Sequence, residues 1–287
     1  MFSAILLAGR SVDMDFASGL ERHWQSRERN WLCPDKAVEL SLPALPTDYA
    51  AMRDRAQSAA MDLVVIPSEG RRKRLLVADM DSTIIGQECI DQLAMAVGIG
   101  DTVAAITARA MNGEIDFSEA LKQRVRLLKG MPADMLDRVW LDRISVNAGA
   151  AELVATMRGA GAEAVLISGG FTSFTGRVAE RLGFSGHFAN ELIIEDGRLT
   201  GEVRQPVLSR TSKLSILSDL IAERGLSLSD VIAVGDGSND IPMLNAAGIG
   251  VAYHAKPTVY RHIQTQIHHS DLTALLYIQG YQAGDVS

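Results

Sequence analysis

The sequence predicts an α/β protein with a doubly wound, Rossmann-like parallel core, a helical cap inserted after the first core strand, and a small α/β domain at the N-terminus. Three observations support this prediction: short, wholly apolar runs that alternate with helical patterns, an almost entirely helical segment inside that alternation, and a change of pattern near residue 70. Strands that are apolar along their whole length are typical of parallel sheets covered by helices on both faces. We therefore expect domains at 1–70 and 71–287, with the cap at about 86–146.

The N-terminal 70 residues combine strand and helix patterns without a cluster of chemically reactive side chains. Strand patterns occupy 2–8, 37–42 and 62–66, and helical patterns occupy 15–25 and 48–60. This part of the chain is interpreted as a docking, oligomerising or ligand-sensing domain, and the sequence does not decide among the three.

The core strands are predicted from apolar runs, most of which end at polar or glycine residues. These runs lie at 74–79, 163–168, 230–236 and 249–253. Helical patterns separate them, at 150–159, 171–182, 212–224 and 240–247. Such alternation is the signature of a doubly wound sheet. A further segment, 192–203, has Asp196-Gly197 at its centre and predicts a β-hairpin.

The insertion between the first two core strands is predicted to be a lid. Asp116 and Glu119 have the spacing of an N-terminal capping box, which opens a helix that continues to Lys129 and stops at Gly130. Another helix is expected to start near Ala133. A helical insertion directly after a strand that ends in an acid is well placed to cover a site at that strand end.

The composition is that of a globular protein in a reducing compartment. Of the 287 residues, 47% are apolar and 22% are charged, and no stretch approaches the roughly 18 apolar residues that span a bilayer. The run 2–8 has no basic lead and is too short for a signal peptide. Cys33 and Cys89 are too few for a disulfide framework. We therefore expect a cytoplasmic protein.

The charge balance restricts the expected partners. A formal net charge of −7 argues against nucleic acid or an anionic membrane as a partner. It permits a small phosphorylated molecule, because a bound cation and one or two lysines can reverse the local field. The oligomeric state, monomer or homodimer, is left open.

The residues that could take part in a reaction lie at the ends of the core strands. The sequences that follow three of them are Asp79-Met80-Asp81-Ser82-Thr83, Ser168-Gly169-Gly170 and Gly235-Asp236-Gly237-Ser238-Asn239-Asp240. Ligands of open parallel sheets bind at this edge, so Asp79, Asp81 and Asp236 are expected to converge. Clustered carboxylates repel one another unless a cation is bound. Ligands that are all oxygen suit a hard ion, and magnesium is the usual ion beside a phosphate.

Together these motifs resemble those of the haloacid-dehalogenase-like phosphatases, over Arg74 to about residue 280. The resemblance rests on the Asp-x-Asp-Ser-Thr motif, the Ser-Gly-Gly motif, a lysine between the later motifs, and Gly-Asp-Gly-x-Asn-Asp. It implies that Asp79 is a nucleophile that forms an aspartyl phosphate. It also implies that Asp81 protonates the leaving oxygen and then takes a proton from water. Magnesium would be held by Asp79, Asp236 and the backbone carbonyl of Asp81.

The same resemblance implies the residues that bind the phosphate. Ser168 and the backbone N–H of Gly169 would contact phosphate oxygens, and glycine allows the close approach. Lys213 would contact the phosphoryl group and reduce the charge on the nucleophile. Asn239 would bind the substrate or orient the phosphate, and Asp240 would anchor the loop or a metal-bound water.

Substrate choice is expected to lie in the cap. Glu88 offers a carboxylate for an ammonium group, and Arg124 offers a planar guanidinium for a carboxylate. Met111 and Phe117 match apolar lid positions that exclude water. The resemblance therefore implies a phosphorylated amino acid as substrate, and hydrolysis of O-phospho-L-serine to L-serine and phosphate as the final step of serine biosynthesis.

Two alternatives differ from this hypothesis in substrate or in class. A related phosphatase or phosphotransferase could act on another small phosphomonoester with the same chemistry. A regulatory module could bind phosphate or serine without catalysis, but such a module would be expected to lack one of Asp79, Asp81 or Asp236, and all three are present.

Overall fold

The computed structural model describes residues 1–111, 114–208 and 210–287, and it confirms the predicted α/β class. The N-terminal sheet is antiparallel with strand order β2-β3-β1-β4. Its strands are β1 (Phe2–Ala8), β2 (Arg29–Cys33), β3 (Ala37–Leu42) and β4 (Met61–Pro67). Two helices cover one face, α1 (Met14–His23) and α2 (Tyr49–Ser58). Strand β2 was not predicted, because it is an edge strand in which only Leu32 is buried.

The strands β1, β3 and β4 of the N-terminal sheet are buried on both faces. Alternate residues of β1, such as Ala4 and Leu6, pack with the residues of α1 and α2. Their neighbours Ile5 and Leu7 join the central core that continues into the rest of the molecule. This arrangement explains why β1 is apolar at every position although its sheet is antiparallel.

The core sheet is parallel throughout, with strand order β12-β11-β10-β5-β6-β7. Its strands are β5 (Leu75–Ala78), β6 (Glu163–Phe171), β7 (Gly186–Asn190), β10 (Val231–Gly235), β11 (Ile249–Tyr253) and β12 (Thr265–Ile267). The predicted strands are confirmed. The two edge strands, β7 and β12, were missed because one is partly exposed and polar and the other is three residues long.

Helices cover both faces of the core sheet, as a doubly wound fold requires. They are α7 (Ala150–Gly159), α8 (Thr172–Leu182), α9 (Arg210–Arg224), α10 (Ile241–Ala246), α11 (Pro257–Tyr260) and α12 (Ala274–Ile278). In β5, Leu76 and Ala78 pack toward one apolar cluster, and Leu75 and Val77 pack toward the other. Both clusters consist of buried apolar side chains, and such close packing fixes the strand ends in a rigid frame.

The cap consists of the helices α3 (Cys89–Ala96), α4 (Gly100–Met111), α5 (Phe117–Leu127) and α6 (Asp134–Arg143). The chain enters and leaves it through paired segments: Ile85 bridges Val146, and the N–H of Gly86 donates to the carbonyl of Ser145 at 3.0 Å. The predicted hairpin is confirmed as β8 (Leu192–Glu195) and β9 (Arg198–Val203), and β9 packs against α5.

The capping box predicted for α5 forms in one direction. The Asp116 side chain accepts the backbone N–H of Glu119 at 2.8 Å, so the helix start is confirmed. The Glu119 carboxylate instead accepts a hydrogen bond from the Gln123 side chain at 2.7 Å. That i, i+4 pair competes with the reciprocal bond to the N-cap. In the described part of the chain, no helix is both long and apolar enough to cross a bilayer.

A buried carboxylate joins the N-terminal sheet to the core. Asp62 of β4 is fully buried and accepts backbone N–H groups of His268, His269 and Ser270, at 2.7, 3.1 and 2.9 Å. These three residues directly follow β12. The carboxylate thus satisfies donors that would otherwise be buried without a partner.

We expect Asp62→Ala to lower the free energy of unfolding by about 3 kcal/mol or more, because buried N–H groups would lose their acceptor. Urea denaturation measures the change. The matched control is Asp54→Ala, since Asp54 is an exposed side chain on α2 paired with Arg53, and we expect a change within about 0.5 kcal/mol. A loss below about 1 kcal/mol for Asp62→Ala would contradict the anchoring role.

Candidate active site

A cavity of about 450 Å³ lies between the carboxyl edge of the core sheet and the cap. The sheet side of the cavity is formed by residues of the strand-end loops, among them Asp79, Asp81, Ser168, Gly169, Asp236 and Asn239. The cap side includes Glu88, Ile90, Asp91, Thr107, Leu121 and Arg124. The predicted site residues on strands and cap therefore face one shared space, apart from Lys213, which lies just beneath it.

Asp79 is fixed at the edge of the sheet by the backbone. It follows β5 directly, and its N–H donates to the carbonyl of Val234 in β10 at 3.0 Å. The chain then turns sharply through Met80–Ile84, with Ser82 at a φ of 56°. This turn places the Asp81 carboxyl at the carboxyl edge of the core sheet, in the same cavity wall as Asp79.

Lys213 joins two of the acids beneath the cavity. It is 2% exposed, and its Nζ lies 2.8 Å from Asp79 Oδ1 and 2.5 Å from Asp240 Oδ1. Burial opposes a charge on this amine, but the carboxylates of Asp240 and Asp79 outweigh burial and raise the pKa of Lys213. The lysine is therefore charged and is directed at Asp79.

Asp240 is held rigidly by its neighbours. Besides Lys213, it accepts the backbone N–H of Gly237 at 3.0 Å. Burial, followed by the charge of Asp79, raises the pKa of Asp240 to about 6. A Cβ on residue 235 would lie 2.6 Å from the Asp240 carboxyl, so this strand end requires the glycine that the sequence supplies.

The carboxylates of Asp79, Asp236 and Asp240 have oxygen atoms within 4.8 Å of one another. Burial, followed by the charge of Asp79, raises the pKa of Asp236 to about 7. The Thr83 hydroxyl donates to Asp236 Oδ1 at 3.3 Å. Asp79 Oδ1 is paired with Lys213 Nζ at 2.8 Å. Buried, mutually repelling oxygens of this kind fit a hard divalent cation.

The Asp81 side chain lies outside that cluster of three carboxylates and has different partners. Its Oδ1 accepts the backbone N–H of Cys89 at 2.9 Å, and Ser168 Oγ lies 3.4 Å from its Oδ2. Burial, reinforced by the charge of Glu88, raises the pKa of Asp81 to about 8. A carboxyl group with such a pKa carries a proton near neutral pH and can donate it. Among the predicted metal ligands, Asp81 could therefore contribute its backbone carbonyl rather than its side chain.

The residues predicted to bind phosphate, Ser168 and Gly169, line the cavity beside Asp81. Ser168 Oγ accepts the N–H of Gly170 at 2.9 Å, and the Asn190 side chain donates to the carbonyl of Gly169 at 2.8 Å. A Cβ on Gly170 would collide with the Asp81 carboxyl. Asn239 lines the cavity on the opposite loop.

The cap contributes the charged pair predicted from sequence. The Ser82 hydroxyl donates to Glu88 Oε1 at 2.8 Å, which leaves Oε2 for a ligand. Arg124 donates from Nε to the carbonyl of Ala120 at 3.3 Å and from Nη1 to Thr107 Oγ1 at 3.5 Å. The predicted lid side chains, Met111 and Phe117, lie outside what the structure describes.

The sequence analysis missed three polar residues of the cavity wall: Asp91, Thr107 and Lys256. Lys256 Nζ lies 3.5 Å from Asp236 Oδ2. It follows β11, so the rule that ligands bind at the carboxyl ends of strands could have found it. Asp91 and Thr107 lie within helical patterns, where a polar residue looks like any other exposed position.

Comparison with known proteins identifies the family. The model of the haloacid dehalogenase-like hydrolases matches residues 76–245, and the chain belongs to this family. A phosphoserine phosphatase of Archaeoglobus fulgidus is 45% identical over 207 residues, which cover 71% of this chain and 60% of that protein. The chain thus spans about three fifths of the length of that relative.

Solved structures agree with this assignment. A haloacid dehalogenase family hydrolase from Salmonella enterica serovar Typhi has a TM-score of 0.88 at 30% identity, covering 97% of this chain and 98% of that one. A phospho-aspartyl intermediate analogue of phosphoserine phosphatase has a TM-score of 0.67 at 37% identity, covering 72% of this chain and 98% of that one.

Proposed function

We propose that this chain hydrolyses O-phospho-L-serine to L-serine and phosphate, the last step of serine biosynthesis. One observation carries the proposal: a single cavity has the acids and phosphate-side residues at one end and the Glu88–Arg124 pair at the other. Such a cavity matches a molecule with a phosphate at one end and an ammonium and a carboxylate at the other. The relatives named above support the same substrate.

In the proposed first step, a carboxylate oxygen of Asp79 attacks phosphorus and the bond from phosphorus to the serine oxygen breaks. Asp81 gives its proton to that oxygen, so serine leaves as the alcohol. In the second step a water molecule attacks phosphorus, Asp81 takes a proton from it, and the bond to Asp79 breaks. Lys213 holds Asp79 in place throughout and reduces its charge.

We propose Mg²⁺ as the cofactor, held by Asp79, Asp236 and the backbone of Asp81. The oxygen-only donors and their burial support a hard cation of this kind. When bound, the ion would neutralise charge on the transferring phosphoryl group. Since both oxygens of Asp240 already accept N–H groups, we assign Asp240 to orienting Lys213 and the 235–240 loop rather than to the metal.

We also propose that residues 1–70 and 71–287 have different roles. The family match lies within the second part, which supports a catalytic domain there, and we assign a regulatory or docking role to the first part. Cys33 and Cys89 are both free thiols in the structure, which supports a cytoplasmic location. A homodimer is compatible with this scheme and is tested by measuring the mass in solution.

A substrate panel with Arg124→Ala tests the proposed substrate. We expect kcat/KM for O-phospho-L-serine to fall by about 10²-fold, because its carboxylate would lose a charged partner. Phosphoethanolamine has no carboxylate, so its kcat/KM should change by no more than about threefold. Phosphate release is the measurement.

Arg126→Ala is the matched control for this panel. Arg126 lies on the same helix α5, but its side chain is exposed and does not line the cavity. We expect no change with either substrate. Equal rates of the unmodified protein on phosphoserine and on phosphomonoesters without an amino acid group would refute the proposed substrate and leave the phosphatase chemistry standing.

A further inference from the structure

Asp91 is a carboxylate in the cavity wall that the proposed steps do not use. It lies in the first turn of α3, three residues after the N-cap residue Glu88. An acid at this position commonly bonds back to the N-cap backbone. Here the buried Oδ1 of Asp91 accepts no hydrogen bond from any residue that the structure describes. A buried carboxylate oxygen without a partner costs folding free energy, so the presence of Asp91 at this position needs a functional explanation.

The guanidinium of Arg124 faces the same cavity and is loosely held. Its hydrogen bonds to Ala120 and Thr107 are long, at 3.3 and 3.5 Å. Within residues 1–111, 114–208 and 210–287, its Nη2 has no hydrogen-bond partner. Two bonds of this length do not fix a planar group that has five N–H donors.

Asp91 and Arg124 line the same cap side of the cavity without forming a direct ion pair. Burial lowers the pKa of Arg124, and the carboxylate of Asp91 opposes that shift more strongly than Glu88 or Asp81 does. Burial raises the pKa of Asp91, and the charges of Arg124 and Lys256 oppose it. The cap wall thus holds an acid with an unpartnered buried oxygen and a loosely held guanidinium of opposite charge.

We propose that Asp91 is the positioning residue of Arg124. Its charge draws one edge of the guanidinium into the cavity and leaves the other edge free for the carboxylate of the substrate. This inference rests on the proposed function, because it requires Arg124 to bind that carboxylate. It assigns to Asp91 an effect on substrate binding, and no role in the transfer of the phosphoryl group.

The test is a double-mutant cycle of Asp91→Asn and Arg124→Ala with O-phospho-L-serine. We expect Asp91→Asn to raise KM about tenfold and to change kcat by less than about twofold. In the Arg124→Ala background, Asp91→Asn should change kcat/KM by less than about twofold, since the residue it positions is gone. Asp142→Asn on α6 is the control: its side chain is exposed, and no effect on either constant is expected.

Two measurements separate this inference from a structural effect and from the proposed function. The thermal unfolding midpoint shows whether Asp91→Asn folds like the unmodified chain, and Asp91→Glu should recover part of the lost affinity. An unchanged KM, a loss confined to kcat, or an equal effect of Asp91→Asn with and without Arg124 would overturn the inference. If the unmodified protein does not hydrolyse phosphoserine, the proposed function itself fails.

Discussion

Asp79→Asn should reduce turnover of O-phospho-L-serine by about 10⁴-fold or more, because the amide cannot attack phosphorus and form the aspartyl phosphate. The two side chains have nearly the same shape, so the cavity should keep its form. Steady-state phosphate release measures the loss. Mass spectrometry after rapid acid quench should find one added phosphoryl group on the Asp79 peptide of the unmodified protein and none in the variant.

Asp219→Asn is the matched control for this substitution. Asp219 lies on α9, the helix that carries Lys213, but it is exposed and does not line the cavity. The control should retain full activity. Turnover within about tenfold of normal in Asp79→Asn would mean that another group attacks phosphorus, and the proposed mechanism would be wrong.

Removal of divalent cations should have an effect of similar size. Without an ion, Asp79, Asp236 and Asp240 repel both one another and the incoming phosphate, so we expect activity after chelation to fall about 10³-fold or more. Added Mg²⁺ should restore it. Ca²⁺ should restore little, because it accepts longer bonds and more ligands than the octahedral geometry that Mg²⁺ prefers.

A binding measurement separates loss of the ion from loss of the fold. Mg²⁺ should raise the thermal unfolding midpoint of the chelated protein, because an ion that binds only the folded state stabilises it. Asp236→Asn should weaken this shift. Full activity in thoroughly chelated buffer would exclude the proposed cofactor.

The sequence predicted the features that depend on local pattern or on strand ends. The wholly apolar runs of β5, β6, β10 and β11 identified the parallel sheet, and the strand-end rule then brought Asp79, Asp81 and Asp236 to one edge. Lys213 was found only through its place between two motifs. Its burial beneath Asp79 and Asp240 depends on tertiary packing that no local pattern records.

Other features were beyond sequence reasoning for physical reasons. The short edge strands β7 and β12 gain their hydrogen bonds from a neighbour rather than from their own propensity. In the sequence, Asp62 has the pattern of an exposed acid beside an apolar run. Its structural role depends on three N–H groups more than 200 residues further along the chain. Asp91 likewise becomes notable only in three dimensions, where its buried Oδ1 has no hydrogen-bond partner among the described residues.

The paired segments at the base of the cap have a wider consequence. Because Ile85 and Val146 lie side by side, the chain leaves the core for the cap and returns to the core at a single place. A module joined in this way can be exchanged, lengthened or shortened while the strands below keep their order. Evolution could therefore redirect a protein of this architecture to new ligands by replacing one continuous stretch of gene, without rebuilding the residues at the strand ends.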